Sequence, residues 1–90
     1  MSSQYNTVSV GNTATLILAA NNNRRASMII NTSAGTVFIG MDVNVTTANG
    51  FPLLQNGSFN NSGQNAVWKG VIYGIVASGT SDVRFWEFEP

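Results

Sequence analysis

Four carboxylates, Asp42, Asp82, Glu87 and Glu89, are the only acidic side chains in this sequence, and it contains no histidine and no cysteine. That removes the commonest general base, thiolate nucleophiles, disulfides and metal sites built on Cys or His. Serines are plentiful, but none has a histidine to activate it. No two of the acids have a spacing that marks a glycosidase pair. The glycines do not precede a helix in a phosphate-cradling pattern, so no cofactor is expected. Asp42-Val43-Asn44 begins like a calcium loop but lacks the glycine and the closing glutamate, so it reads as a turn and no metal is assigned. These residues point away from an enzyme.

Recognition is what remains. Trp68 and Trp86 have flat apolar rings on which a sugar could stack, although a Trp in so small a domain is more often core or interface. Arg24 and Arg25 are the only adjacent basic pair. Charged residues make up 9% of the chain, against about 25% in an ordinary soluble domain, and the formal net charge is +0. Phosphate binding needs several cations on one face, so nucleic acid is not an expected partner. Solubility falls to Asn, Ser, Thr and Gly, which cost less to desolvate than charges and therefore tolerate burial against a neighbour. With so little net charge to keep copies apart, the composition points to an assembled protein. Sequons at Asn31, Asn44, Asn56 and Asn60 are what chance supplies in an Asn-rich chain.

The elements that would position these residues are strands. The 90 residues are enough for one domain, taken as residues 1–90 with residues 1–5 as a flexible or docking arm. The start Met1-Ser2-Ser3-Gln4-Tyr5 has no basic segment followed by an apolar one, so no leader is expected. The most apolar windows, Leu16–Ala20 and Val71–Ala77, fall far short of the roughly 20 residues of a spanning helix, and no membrane is expected. Runs of Val, Ile, Leu and Phe broken at short intervals by Gly, Asn, Ser and Thr predict strands at Tyr5–Val10, Ala14–Ala20, Arg25–Asn31, Thr36–Gly40, Phe51–Leu54, Gly57–Asn60, Val71–Ala77 and Asp82–Phe88. Met28 and Ile30 are expected to point inward, with Ser27 and Ile29 opposite. Leu16 and Leu18 are expected to share a face. Ser33-Ala34-Gly35 and Ser78-Gly79-Thr80-Ser81 read as hairpin turns, and residues 60–65 as a flexible loop. The fold expected is all-β, a small antiparallel β-sandwich or β-barrel of about 7–8 short strands.

The last two strands carry a further inference. Val71–Ala77 sets Val71, Tyr73 and Ile75 against Ile72, Gly74 and Val76, and Asp82–Phe88 sets Val83, Phe85 and Glu87 against Arg84, Trp86 and Phe88. A solvated antiparallel sheet alternates apolar and polar residues, and neither strand has a clean polar face. In a 90-residue domain with one core the second face is most economically covered by another subunit or chain, the alternative being the protein's own loops.

Asn23-Arg24-Arg25-Ala26-Ser27-Met28-Ile29-Ile30-Asn31, followed by Val37-Phe38-Ile39-Gly40, resembles a pattern of small tailed-bacteriophage structural proteins: an Arg-led strand ending in Ile-x-Asn, then a Val-aromatic-Ile-Gly strand. Asn49-Gly50-Phe51-Pro52-Leu53 is similar to the Asn-Gly-x-Pro-Leu segment that comes next in them, and Ile72–Arg84 to their final hairpin. The aromatic ending Phe85-Trp86-Glu87-Phe88 departs from the aliphatics usual there. The resemblance implies a virion accessory protein with no catalytic residues. The expected function is capsid decoration: the protein self-associates as a trimer, binds a major capsid protein or another virion protein, and stabilises the head shell. Its expected location is the virion, assembled in the host cytoplasm. Trp68, Tyr73, Trp86 and Phe88 are the expected interface residues, with Arg24, Arg25 and Arg84 as polar anchors. The alternatives are a glycan- or receptor-binding module of a tail or head fibre, and a tail adaptor.

Overall fold

The computed structural model describes residues 3–62 and 67–89. Eight strands follow one another: β1 (Gln4–Val10), β2 (Thr15–Leu18), β3 (Ala26–Asn31), β4 (Val37–Gly40), β5 (Phe51–Leu53), β6 (Ser58–Asn61), β7 (Ile72–Ile75) and β8 (Ser81–Phe88). They form two four-stranded antiparallel sheets, ordered β1-β8-β3-β6 and β2-β7-β4-β5. Each strand pairs with the one equally far from the other end of the chain: β1 with β8, β2 with β7, β3 with β6, β4 with β5. The chain is therefore one long hairpin with its tip between β4 and β5, rolled up so that β3 also joins β8 and β4 joins β7. An eight-stranded sandwich wound in this way is a jelly roll.

Winding corrects two expected hairpins. β3 and β4 lie in different sheets, as do β7 and β8. The 33–35 and 78–81 turns are thus arches from one sheet to the other, with Gly79 at φ 68° in the second. Gln4, expected in an arm, belongs to β1 and pairs with Glu87; Tyr5, where the expected arm and the expected strand overlap, is in the strand and pairs with Trp86. Asn60, where the expected strand and the expected loop overlap, and Asn61, expected in the loop, close β6; residues 63–65 of that loop lie outside the described residues, as do Met1 and Ser2.

The core is the aliphatic layer between the sheets: Val10, Ile17, Leu18, Ile29, Val37, Ile39, Leu53, Ile72, Val76 and Val83. β2 reaches it by a bulge. Its register to β7 shifts between Leu16 and Leu18, so Ile17 and Leu18 are both buried and Leu16 points out; the expected pairing of Leu16 with Leu18 on one face does not hold. On β3 the expected facing is reversed. Ser27, Ile29 and Asn31 are buried, while Met28 is 44% exposed and Ile30 half-buried.

The inverted β3 works because its inward polar groups have partners. Asn31 pins one end of the sandwich: its Nδ2 donates to the carbonyls of Gly35 at 2.7 Å and Leu53 at 2.9 Å, and its Oδ1 accepts from the Ser33 amide at 3.0 Å. At the other end the Asn61 side chain donates to the Trp68 carbonyl at 2.8 Å and accepts from the Trp68 amide at 2.9 Å. Gly74 makes room for the Ile17 side chain of the neighbouring strand, since a Cβ there would stand 2.8 Å from Ile17 Cδ1.

Candidate interaction surface

β8 is the axis of the site, because its two sides do opposite things. Its odd-numbered residues Ser81, Val83 and Glu87 are buried between the sheets, while Arg84, Trp86 and Phe88 face out. Strand register then assembles the outer face. Trp86 lies between Tyr5 on β1 and Met28 on β3, with Asn60 of β6 beyond. One step along, Arg84 lies between Thr7 and Ile30, and Phe88 stands beside Ala26. The Trp86 and Phe88 rings stack, centroids 5.9 Å apart and 9° from parallel.

This face is wet within one chain and predominantly apolar. Tyr5 is 82% exposed, Trp86 47% and Phe88 40%. Its charge is nearly self-cancelling: Arg84 Nε donates to Asp82 Oδ2 at 3.3 Å, and Asp82 also accepts from Thr32 Oγ1 at 2.8 Å. An exposed aromatic row rimmed by Asn, Thr and Ser has the composition of an interface core and rim.

Beneath the same end of β8 is a buried ion pair. Arg24 Nε donates to Glu87 Oε2 at 2.6 Å, with the side chains 0% and 3% exposed. The guanidinium also donates to the carbonyls of Trp68, Gly70 and Ala19 at 2.9, 3.0 and 2.6 Å. Gln4 Nε2 donates to the other carboxylate oxygen at 2.7 Å. Burial pushes the Glu87 carboxyl up, but hydrogen bonds from Arg24, Gln4 and Asn21, with the Arg24 charge, outweigh it and hold the group below the usual carboxylate range. The pair ties the β2–β3 connection, the segment before β7 and the end of β8 together. Arg24, expected to anchor a partner at the surface, is instead an internal staple. Of the basic pair only Arg25 faces solvent.

The remaining expected residues lie elsewhere. Tyr73 is half-buried on the outside of the other sheet, between Leu16 and Gly40. Trp68 is 37% exposed, donates its indole N–H to the Val71 carbonyl at 2.9 Å, and lines an apolar recess of about 190 Å³ with Ile39, Met41, Phe51, Phe59 and Ile72. So Arg84, Trp86 and Phe88 are brought together, with Arg25 at the Phe88 end, where its amide donates to the Phe88 carbonyl at 2.9 Å, while Tyr73 and Trp68 are not. Tyr5 and Met28 were missed. Tyr5 opens the strand expected at Tyr5–Val10 but has no partner in the sequence alone, Met28 faces opposite to the expectation, and only the register to Trp86 joins them.

Among the described residues no three His, Cys, Asp or Glu side chains cluster as metal ligands. Each acid has a local role: Asp42 accepts from the Asn44 amide at 2.9 Å, the turn expected there, Asp82 and Glu87 are ion-paired, and Glu89 accepts from Asn21. No helix of the described residues is long and apolar enough to cross a membrane. The chain matches no protein-family model, and no curated protein or solved structure is significantly similar to it.

Proposed function

We propose that this chain is a non-enzymatic structural module of a tailed-phage particle: a capsid decoration protein that associates with its own copies and with shell subunits and holds neighbouring subunits together. The observation that carries the assembly part is the exposed Tyr5–Trp86–Met28 row with Phe88 stacked on Trp86. Large aromatics that one chain leaves wet gain most from a protein cover, and Trp and Tyr dominate interface energetics. The particle part rests on the sequence resemblance. Jelly rolls serve in capsids and in lectins alike, so the fold does not choose between them. The low charge favours a surface covered by protein, since such a surface is desolvated cheaply. A module that prefers the assembled shell stabilises it by mass action at every site it occupies.

The test adds purified protein to capsid shells that lack it. Binding in many copies and a raised shell disruption temperature are expected, and Trp86→Ser combined with Phe88→Ser abolishes both while the domain stays folded. Absence of shell binding, together with glycan-array binding lost on Trp86→Ser, overturns the proposal in favour of a glycan-binding module.

A further inference from the structure

We infer that the free edge of β1 is a docking strand for β1 of a second copy, joining two sandwiches into one continuous eight-stranded sheet. This deepens the self-association proposed above and rests on that reading, but it uses backbone groups rather than the aromatic face.

The four sheet edges are β1, β6, β2 and β5, and three of them carry the devices that keep edges from pairing. β5 is three residues long and contains Pro52, which lacks the donor a ladder needs. β2 is four residues with a bulge. β6 is four residues, and its last, Asn61, is committed to the Trp68 backbone. β1 is different: seven residues, Gln4-Tyr5-Asn6-Thr7-Val8-Ser9-Val10, with no charge, proline or glycine. Its register to β8 runs unbroken through all seven, and among the described residues no strand pairs with its other side.

Which backbone groups are free follows from the ladder. The Thr32 amide donates to the Asp82 carbonyl at 3.0 Å, continuing the β3–β8 register in which residue numbers sum to a constant. In an antiparallel ladder hydrogen-bonded and non-bonded pairs alternate. Even-numbered β8 residues therefore turn their backbone groups to β3 and odd-numbered ones to β1. Through the β1–β8 register, Gln4, Asn6, Val8 and Val10 bond β8, whereas Tyr5, Thr7 and Ser9 turn N–H and C=O outward. One contact bears this out independently: the Thr7 amide donates to Asn6 Oδ1 at 2.8 Å, an exposed donor filled by its neighbour's side chain.

Once the Asn6 side chain gives up the Thr7 amide, the complement of three outward donors and acceptors at strand spacing is another strand edge, and a second copy supplies an identical one. Two copies related by a two-fold axis through Thr7 pair antiparallel and self-complementarily. Thr7 then meets Thr7, and Tyr5 meets Ser9, with about six inter-chain backbone hydrogen bonds. Tyr5, the most exposed large hydrophobic side chain of the described residues, comes to lie over the seam, and the aromatic rows of both copies run across one sheet. Such a contact is two-fold, so it predicts a dimer in place of the trimer expected from the sequence.

The test is sedimentation of the full chain over roughly a hundredfold range of concentration, where mass action reveals the dimer, with residue-resolved amide exchange alongside. Wild type is expected to dimerise, and the Tyr5, Thr7 and Ser9 amides to gain protection at high concentration, while Asn6, Val8 and Val10 are protected at both. Thr7→Pro removes an outward donor and is expected to be monomeric with an unchanged β-sheet spectrum. Thr7→Glu and Thr7→Lys, whose like charges would oppose each other on the axis, are each expected to be monomeric, and an equimolar mixture to dimerise. The mixture keeps the test decisive if the proline variant does not fold. Odd-numbered amides that exchange equally fast at every concentration overturn the inference, as does a mixture no more dimeric than its components. If, in addition, Trp86→Ser with Phe88→Ser dissociates a wild-type oligomer, the assembly reading survives and the edge does not; if no oligomer forms and no shell binds, both fail.

Discussion

Glu87 and Trp86 are neighbours in the chain and opposites in the fold. Glu87, a carboxylate, is 2% exposed, and Trp86, the largest apolar side chain available, is 47% exposed. The same inversion holds across β3, where Ser27 is buried and Met28 is not. At this end of the first sheet, then, polar groups are inside and apolar groups outside. The inner ones are stable because every one of them has a fixed partner, and no buried side-chain nitrogen or oxygen of the described residues lacks a hydrogen bond. The outer ones have no such compensation within one chain. The inner face has been completed by the fold, and the outer face awaits something else.

The strongest way to break that comparison is to remove the inner partner. Arg24→Ala leaves Glu87 buried without its cation and the Gly70 and Ala19 carbonyls without their side-chain donor, and is expected to cost about 3–5 kcal/mol, a large part of the stability of a 90-residue domain. The urea midpoint measures it. Replacing both members, as in Arg24→Met with Glu87→Leu, is expected to cost less than Arg24→Ala alone, because no charge is then stranded. The same pair sets an acid limit. Glu87 is held below the ordinary carboxylate range, so its contribution is fully present above that range and is lost as pH falls through the lowered value. Thermal unfolding followed from neutral to acid pH should show a loss of stability that the doubly substituted protein lacks.

Next in size is a pair of substitutions one residue apart. Ile29→Ala opens a cavity in the core and is expected to cost about 2–5 kcal/mol. Met28→Ala, on the exposed side of the same strand, is expected to cost under about 0.5 kcal/mol. Equal effects would mean that the outer face is already covered in the isolated molecule. Trp86→Ser with Phe88→Ser is expected to shift folding stability by only about 1 kcal/mol, the scale of a stacked aromatic pair, while eliminating association measured by sedimentation or shell binding.

Much of this arrangement was legible in the sequence and some of it was not, for identifiable reasons. All eight strands lie where runs of β-branched and aromatic residues are broken by turn formers, because that signal is local. Which strands pair is not local. The 78–81 turn has hairpin chemistry, yet it joins strands of different sheets, since β8 finds its partners in β1 and β3. Facing was misread on β3 because the apolar members of an alternating strand are ordinarily inside; Ser27 and Asn31 break that rule through bonds to Asn61, Gly35 and Leu53. Arg24 reads as a surface cation in the sequence because its counter-ion is 63 residues away. The apolar outer sides of β7 and β8, by contrast, followed from alternation alone.

The smallest expected effect separates a face that is merely wet from one that binds. Arg84 is 63% exposed and its bond to Asp82 is 3.3 Å long, so solvent screening leaves the pair worth about 0–0.5 kcal/mol to the fold. Asp82 does not depend on it, being held by Thr32 Oγ1 and, through its amide, by Ser33 Oγ at 2.7 Å. Arg84→Ala is therefore expected to leave the melting temperature within about 2–4 °C of wild type. Its position is another matter, because register sets Arg84 one step from the Trp86 row, between Thr7 and Ile30. A guanidinium at the rim of a buried aromatic patch steers association and gives it salt dependence more than affinity. Shell binding by Arg84→Ala should then be slower at low salt and converge on wild type at high salt. If the variant binds at the wild-type rate at every ionic strength, the partner approaches from a direction that does not pass Arg84, and the contact would be confined to the Phe88 end of the row.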